Sequence, residues 1–430
     1  MPQVYNVQPS MGQQTLRDVK GPANIAGRSL SLPPIYEWCG QEPHPQRIDD
    51  LDVSHTSIGK TYIFLIDPSD EGKETADVLG HAQRIPLGRE QVARDQGLIE
   101  LHPGDWVFAR DCEGDGDPMD DILVIFAERL NDLAHLHERL RKARDEMFGP
   151  REERTREKVR FEHNARAWRV HKDDRSYGIG HNVQHVRKVE APAASVKVYD
   201  GELDEHQIRQ QEFLASAAPI VFGTWERRAP RRWQTWMKEY ASLINGPITG
   251  CEGNYAFPSW QCNIAAQQDG HSSTFVHVKV AQRWISLRFL DGSLAGEMKL
   301  FGEAHRDKRD AVTGLSCMLV NSDLPDEEGE EPGRFHFLAW GFWVRLDLWL
   351  TVYFSGQLPH GGTAPLAAPG QTAQDWACRS VLIGYPPRMI MEGDIRHSLA
   401  ALPHSDEPLY ITPEMTGIKY VRKHGSVYSI

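Results

Sequence analysis

At 430 residues the chain can hold one large domain with appendages or two domains, and 40% hydrophobic against 25% charged residues is ordinary for a globular protein. A formal net charge of −12 and a pI near 5.9 exclude a surface that coats polyanions wholesale, while leaving room for a local basic groove. The six cysteines lack CxxC spacing and no stretch approaches ~18 consecutive apolar residues, so a disulfide framework, a structural zinc site and a membrane span are all unexpected. The expectation is a soluble, intracellular protein.

Residues 1–50 are rich in Gln, Pro, Ser and Gly, carry little apolar periodicity, and are expected to form a poorly ordered tail. Residues 51–200 are expected to form an N-terminal α/β and helical extension. Within it, 61–66, 105–109 and 121–126 are short apolar runs bounded by Gly, Pro and Asp, as strands are. Leu130, Leu133, Leu136 and Leu140 then recur at helical spacing in a charged segment ending at Gly149 and Pro150. Residues 151–174, dense in charge of both signs, read as a solvated helix or linker, with a basic nucleic-acid segment as the alternative.

The remaining unit, 201–430, opens with a helical passage from about 204 to 244. It contains Arg227, Arg228, Arg231 and Arg232 interleaved with Trp233 and Trp236. These are either helix-surface arginines with tryptophan in the core, or a grip for phosphates and bases. After Gly246 the pattern turns to strands. The longest run is 342–355, where Phe342, Val344, Leu346, Leu348, Leu350, Val352 and Phe354 are apolar at period two. It reads as one bent strand or as two strands with a tight joint. Residues 315–320 and 335–339 read as shorter neighbours, separated by an acidic loop at 323–333.

The chemistry concentrates in this unit. His305 and Asp307 stand at i and i+2, so in extended backbone their side chains leave one face. His360 follows 53 residues after Asp307, beside Gly361 and Gly362, which let the backbone approach closely. Two imidazoles and one carboxylate fill one face of an octahedron and leave three positions open, the ligand set of a mononuclear Fe(II) oxygenase. The absence of thiolate from the set speaks against structural zinc. Arg379 opens a strand-like run in which Arg379, Val381, Ile383 and Tyr385 share a face. A buried guanidinium there offers a fork to a carboxylate, which 2-oxoglutarate presents. Taken singly, H-x-D is a surface pair and His-Gly-Gly a turn; the ordered set with the arginine points to iron. Ser57 to Thr61 ends like a phosphate-binding loop, but Ser54 stands where its first glycine would fall. His181 and His185 read as loop residues, and His271 and His277 as structural.

From about 246 to 393 the chain resembles a fungal branch of the 2-oxoglutarate/Fe(II) dioxygenases of the ten-eleven-translocation (TET) and base-J-binding-protein superfamily. The matching text lies at 250–263, at 302–307 around His305 and Asp307, at 354–363 around His360, and at 379–387 from Arg379 to Pro387. The resemblance implies a double-stranded β-helix holding iron in its mouth, with His305, Asp307 and His360 as ligands. It implies Arg379 as anchor of the distal 2-oxoglutarate carboxylate and Tyr385 as the ring that stacks on a flipped cytosine. The chain departs from the family at Asp310, where an asparagine touches the base, and at Pro387, where a histidine stands. The zinc-binding region of animal members is absent, and 275–290 has no counterpart and reads as an insertion near the site mouth.

The expected class is therefore α+β: a double-stranded β-helix (jelly-roll) oxygenase core flanked by helices at 201–430, with an N-terminal mixed α/β extension. The implied activity uses Fe(II), 2-oxoglutarate and O2 to oxidise a methylated nucleic-acid base, 5-methylcytosine in DNA first. DNA is the expected partner, and nuclear residence follows from it alone. The rivals are a hydroxylase of a small molecule or protein side chain, and a catalytically silent binding module on the same fold.

Overall fold

Apolar residues at period two build most of the strands, and the burial of their faces sets the layers. The structure, a computed structural model, describes residues 16–18, 23–25, 28–30, 35–48, 59–66, 89–95, 97–111, 114–154, 174–186, 189–194, 205–243, 249–270, 275–280, 283–288, 305–307, 309–311, 314–338 and 340–391. Its strands up to residue 200 are β1 (Leu16–Asp18), β2 (Ala23–Ile25), β3 (Arg28–Leu30), β4 (Ile35–Trp38), β5 (Thr61–Ile66), β6 (Ile99–Leu101), β7 (Trp106–Asp111), β8 (Ile122–Glu128), β9 (Asp174–Val186) and β10 (Val189–Ala194). Beyond it lie β11 (Ser259–Ala266), β12 (Phe275–Val280), β13 (Arg283–Arg288), β14 (Ser316–Val320), β15 (Arg334–Phe337), β16 (Phe342–Arg345), β17 (Thr351–Phe354), β18 (His360–Gly362) and β19 (Cys378–Tyr385). The helices are α1 (Pro45–Ile48), α2 (Glu90–Asp95), α3 (Ala134–Phe148), α4 (Glu205–Arg228), α5 (Arg231–Leu243) and α6 (Arg388–Met391).

Eleven strands form one sheet in the order β1-β4-β5-β7-β8-β17-β14-β19-β11-β9-β10, antiparallel except where β5 meets β7. A second sheet of four runs β18-β15-β16-β6, with β6 parallel to β16. In β14, Met318 and Val320 pack in a cluster with Phe335, Phe337, Phe342 and Val344 of the smaller sheet. Cys317 and Leu319 pack in a second cluster with residues of α3 and α4. Strand β17 alternates likewise, and the Tyr353 hydroxyl donates to the Val221 carbonyl in α4. Helices, large sheet and small sheet thus form three layers, and the central strands are apolar on both faces because both are covered.

The alternating run at 342–355 is two strands in two different sheets. Its joint holds Trp349, whose φ of 68° is the one positive value of a non-glycine among the described residues. The Leu350 N–H closes the turn on the Asp347 carbonyl at 3.1 Å, and the Trp349 ring stacks on His137 at 4.4 Å.

Residues 35–48, assigned to a poorly ordered tail, pair through β4 with β5 and bury His44, Gln46 and Arg47. Gln46 donates to the carbonyls of Pro118 and Asp121, and Arg47 donates to the Gly104 carbonyl at 2.6 Å and to Thr61 Oγ1 at 2.8 Å. These anchors are polar, so apolar periodicity does not reveal them. Strands from either side of residue 200 pair, β8 with β17 and β6 with β16.

Helix α3 stops at Gly149, whose φ of 81° suits glycine, as the leucine spacing and the Gly-Pro pair anticipate. The arginines around Pro230 take protein partners: Arg227 pairs with Asp132 at 2.6 Å, Arg228 faces Glu128 at 3.4 Å, and Arg232 donates to the Met119 carbonyl. Trp225 is buried, while Trp233 and Trp236 pack half-buried against the same cluster, in line with the helix-surface reading. Of the segment expected at 151–174, residues 155–173 lie outside the described residues. So do His271 and the side chains of His181, His185 and His277. The β12-β13 pair is a separate two-stranded sheet, and no helix among the described residues is long and apolar enough to cross a membrane.

Candidate metal centre

His305 and His360 are brought together by the backbone. Each donates its N–H to the other's carbonyl, at 3.0 and 2.9 Å, in an isolated antiparallel bridge. Residues paired in this way point their side chains to one side. The two imidazoles accordingly meet with ring centroids 4.5 Å apart. Asp307, its N–H held by the Gly356 carbonyl at 2.8 Å, places one carboxylate oxygen 3.4 Å from Nε2 of His305 and the other 3.4 Å from Nε2 of His360. The ligand atoms of the three lie within 4.8 Å of one another, the one such group of His, Cys, Asp and Glu among the described residues.

Burial alone would push the Asp307 carboxyl up, but hydrogen bonds and charge from His305 and His360 carry it below the usual carboxylate range. The site therefore offers a carboxylate, as a metal requires. His360 Nδ1 lies 2.7 Å from the Leu358 carbonyl; donating there leaves Nε2 as the free lone pair on the Asp307 side. The His360 side chain is 3% exposed, against 49% for His305 and 37% for Asp307. Its ring is wedged against Phe335 and Phe354, so one ligand is fixed in the core and two are reachable from solvent. Two nitrogens and one oxygen with an open side fit a metal that keeps free positions. Gly356 lets the segments meet, since a Cβ there would fall 2.3 Å from Asp310 Oδ2.

The group opens into a cavity of about 440 Å³, within the range of small-molecule sites. Arg379, Val381, Ile383 and Tyr385 all line it, the face that period two assigns them. Across the register with β11 they stand opposite Ala265, Asn263, Gln261 and Ser259. Arg379 is 5% exposed and donates to the carbonyls of Thr363 and Pro332. Gly333 holds this corner open: its φ is 89°, and a Cβ would sit 2.3 Å from Arg379 Nη1. A Gly333→Ala substitution is expected to displace the guanidinium and destabilise the chain by about 1–3 kcal/mol. Urea unfolding checks this, and an unchanged midpoint would mean the backbone relaxes freely.

At the other end of the same strand Tyr385 is half-buried, and burial, with the charges of Asp310 and Asp307, holds its hydroxyl protonated well above the usual range. Asp310 is 5% exposed and accepts from the Ser316 hydroxyl. Burial, then the neighbouring Asp307 charge, push its carboxyl up to about 7. Pro387 stands directly across an antiparallel bridge from Asp310, so the two residues are neighbours in space.

Gln261 and Asn263 also line the cavity, joined by a 2.8 Å bond from Gln261 Nε2 to Asn263 Oδ1, and the residue-by-residue reading gave them no role. The available signal was two amides alternating with Trp260, Cys262 and Ile264. What was missing was the register that lays their face beside Arg379 and Tyr385.

No family model matches the chain, and no curated protein matches it. Among solved structures, one of NgTET1 in complex with 5mC DNA aligns with a TM-score of 0.38 at 10% sequence identity, covering 82% of this chain and 98% of that chain.

Proposed function

We propose that this chain is an Fe(II)- and 2-oxoglutarate-dependent dioxygenase that oxidises a methyl group on a nucleic-acid base, with 5-methylcytosine in DNA first. The smaller sheet and the β17-β14-β19-β11 portion of the larger one are read as its double-stranded β-helix, with 35–200 as an extension built onto both sheets. The observation that carries the proposal is that the His305, Asp307 and His360 side chains and the buried Arg379 guanidinium open onto one cavity. A metal centre alone is compatible with many reactions; a buried cation at the floor beside it selects an anionic co-substrate.

When bound, Fe(II) with 2-oxoglutarate and O2 supplies the oxidising chemistry. The protein's part is placement. His305, Asp307 and His360 hold the metal, and Arg379 takes the distal carboxylate. Met318, Phe335, Leu346, Phe354 and Val381 line the cavity with apolar surface that excludes water. A base must leave the duplex stack to enter, and Tyr385 with Asp310 beside it receives the ring and its polar edge.

The test is succinate release by Fe(II)-loaded protein with 2-oxoglutarate, with and without a 5-methylcytosine oligonucleotide, with His305→Ala as blank. Succinate is expected to rise with the methylated strand, alongside one added oxygen on the base. Tyr385→Ala should cut that stimulated turnover roughly 5- to 150-fold, the worth of one base–aromatic stack, while 2-oxoglutarate binding stays near the wild-type value. Equal loss of both would remove the stacking role. Succinate formed regardless of the oligonucleotide would move the substrate to a small molecule or a protein.

A further inference from the structure

The two segments that carry the candidate metal ligands are joined by one side chain. The first makes a tight turn at 307–310, closed by the Asp310 N–H on the Asp307 carbonyl at 2.9 Å. The second leaves β17 in a turn at 355–358, closed by the Leu358 N–H on the Ser355 carbonyl at 3.1 Å, and enters β18 at His360. The Ser355 N–H is itself held by the Val124 carbonyl of β8 at 3.0 Å. Gln357 stands in this second turn, half-buried and outside the cavity lining. Its Nε2 donates to both ends of the first turn, to the Asp310 carbonyl at 2.7 Å and to the Asp307 carbonyl at 3.2 Å. Both partners are acceptors only, so the amide must present its nitrogen to them.

This grip falls where the site needs one. His360 is fixed by the core, and the backbone bridge fixes His305 on His360. Asp307 is 37% exposed, so its place depends on its backbone. Its N–H is held by the Gly356 carbonyl, and its carbonyl by the Asp310 N–H within the turn and by Gln357 from outside it. Asp310, at the far end of the turn, lines the same cavity as Asp307. The turn is thus a short rod with a metal ligand at one end and a residue of the substrate face at the other. We propose that Gln357 is a positioning residue that holds Asp307 and Asp310 at a set separation, keeping the metal and the inserted base in register. The role rests on the reading of the site given above and adds the residue that keeps its two halves together. Misplacing a reacting group by about 1 Å costs on the order of 100-fold in rate, so two hydrogen bonds here have large leverage.

The experiment titrates Mn(II) into full-length wild type, Gln357→Met and Gln357→Glu, with the free ion followed by electron paramagnetic resonance. Methionine keeps the length of the side chain and removes the donor; glutamate sets an acceptor against two carbonyls. The methionine variant is expected to bind Mn(II) roughly 10- to 100-fold more weakly, as loss of a group that orients a ligand does, and the glutamate variant more weakly still. At saturating Mn(II), 2-oxoglutarate should bind both variants as it binds wild type, because Arg379 takes its place from Thr363 and Pro332. With Fe(II), the amount of base oxidised per succinate released should fall, since Asp310 no longer tracks Asp307. Melting of the metal-free proteins separates positioning from general loosening. A lower melting temperature with Mn(II) affinity equal to wild type in the folded variant would overturn the proposal while the proposed function stands. If Gln357→Met does not fold, the glutamate variant carries the same test. Wild type that takes up no Mn(II) would remove the metal centre and this role together. Weakened Mn(II) binding in the variants, with wild-type succinate indifferent to the methylated oligonucleotide, would support the grip on Asp307 and remove the nucleic-acid reading.

Discussion

An Arg379→Ala variant is expected to bind 2-oxoglutarate roughly 30- to 3,000-fold more weakly than wild type, as follows when one partner of a buried, hydrogen-bonded charge pair is truncated. The guanidinium is 5% exposed and its Nη1 is tied to the carbonyls of Thr363 and Pro332, so its fork is aimed before any ligand arrives. Arg379→Lys should recover only part of the loss, because an ammonium presents a point charge where two parallel donors are needed. Calorimetric titration of 2-oxoglutarate into Mn(II)-loaded protein reads the affinity directly. Metal uptake should remain one equivalent, since His305, Asp307 and His360 take their positions from the backbone bridge and from Gly356. Unchanged 2-oxoglutarate affinity would remove Arg379 from the site and with it the argument for an anionic co-substrate.

Asp323→Asn is expected to destabilise the fold by about 1–3 kcal/mol near pH 7, the cost of leaving buried donors without their charged acceptor. Asp323 is 3% exposed and receives Arg151 and Arg154, with Arg144 at 3.5 Å. The side chains of Arg144 and Arg154 are 4% and 0% exposed and lose their buried carboxylate, keeping only that of Asp145, which is 44% exposed, while half-exposed Arg151 loses little. Burial would raise the Asp323 carboxyl, but the Arg151 hydrogen bond and the charges of Arg144, Arg151 and Arg154 bring it below its ordinary 3.8. A depressed carboxylate contributes stability that is complete above its unfolded pKa and is lost as pH falls through the folded one. The difference between wild type and variant should therefore be widest above about pH 5 and narrow below about pH 4. Urea unfolding across that range checks the sign. A gap that widens in acid would contradict the pairing.

The two effects concern neighbouring positions at the same end of β19. Asp323 lies across a β-bridge from Cys378, and Arg379 is the next residue, so the arginine cluster pins β19 where the cavity floor begins. Loosening that end by Asp323→Asn should soften the anchor without touching the ligand triad.

Much of the candidate site was legible in the order of residues. H-x-D, a later His-Gly-Gly and an arginine on an apolar strand are local patterns, each readable within a few residues. The shared face of Arg379, Val381, Ile383 and Tyr385 needs only period two, and all four line the cavity. The leucine spacing before Gly149 and the helix it forms are equally local. These features depend on the chemistry and spacing of neighbours in the chain.

Other features depend on which distant segment lies alongside. Period two runs unbroken from 342 to 354, but the chain changes sheet at Trp349, a change alternation does not register because both faces of both strands are covered. His44, Gln46 and Arg47 look like tail residues until their carbonyl and carboxylate partners between 59 and 121 are known. Gln261 and Asn263 join the cavity through the register of β11 on β19, and Asp310 meets Pro387 only because 309–311 lies against 386–388. By itself, then, the sequence determined which side chains can hold a metal and an anion and on which face of a strand they stand, since those follow from residue type and a period of two. The tertiary structure decided which strands share a sheet, what covers each face and which charges confront one another, because a hydrogen-bonded register between remote segments leaves no trace in local spacing.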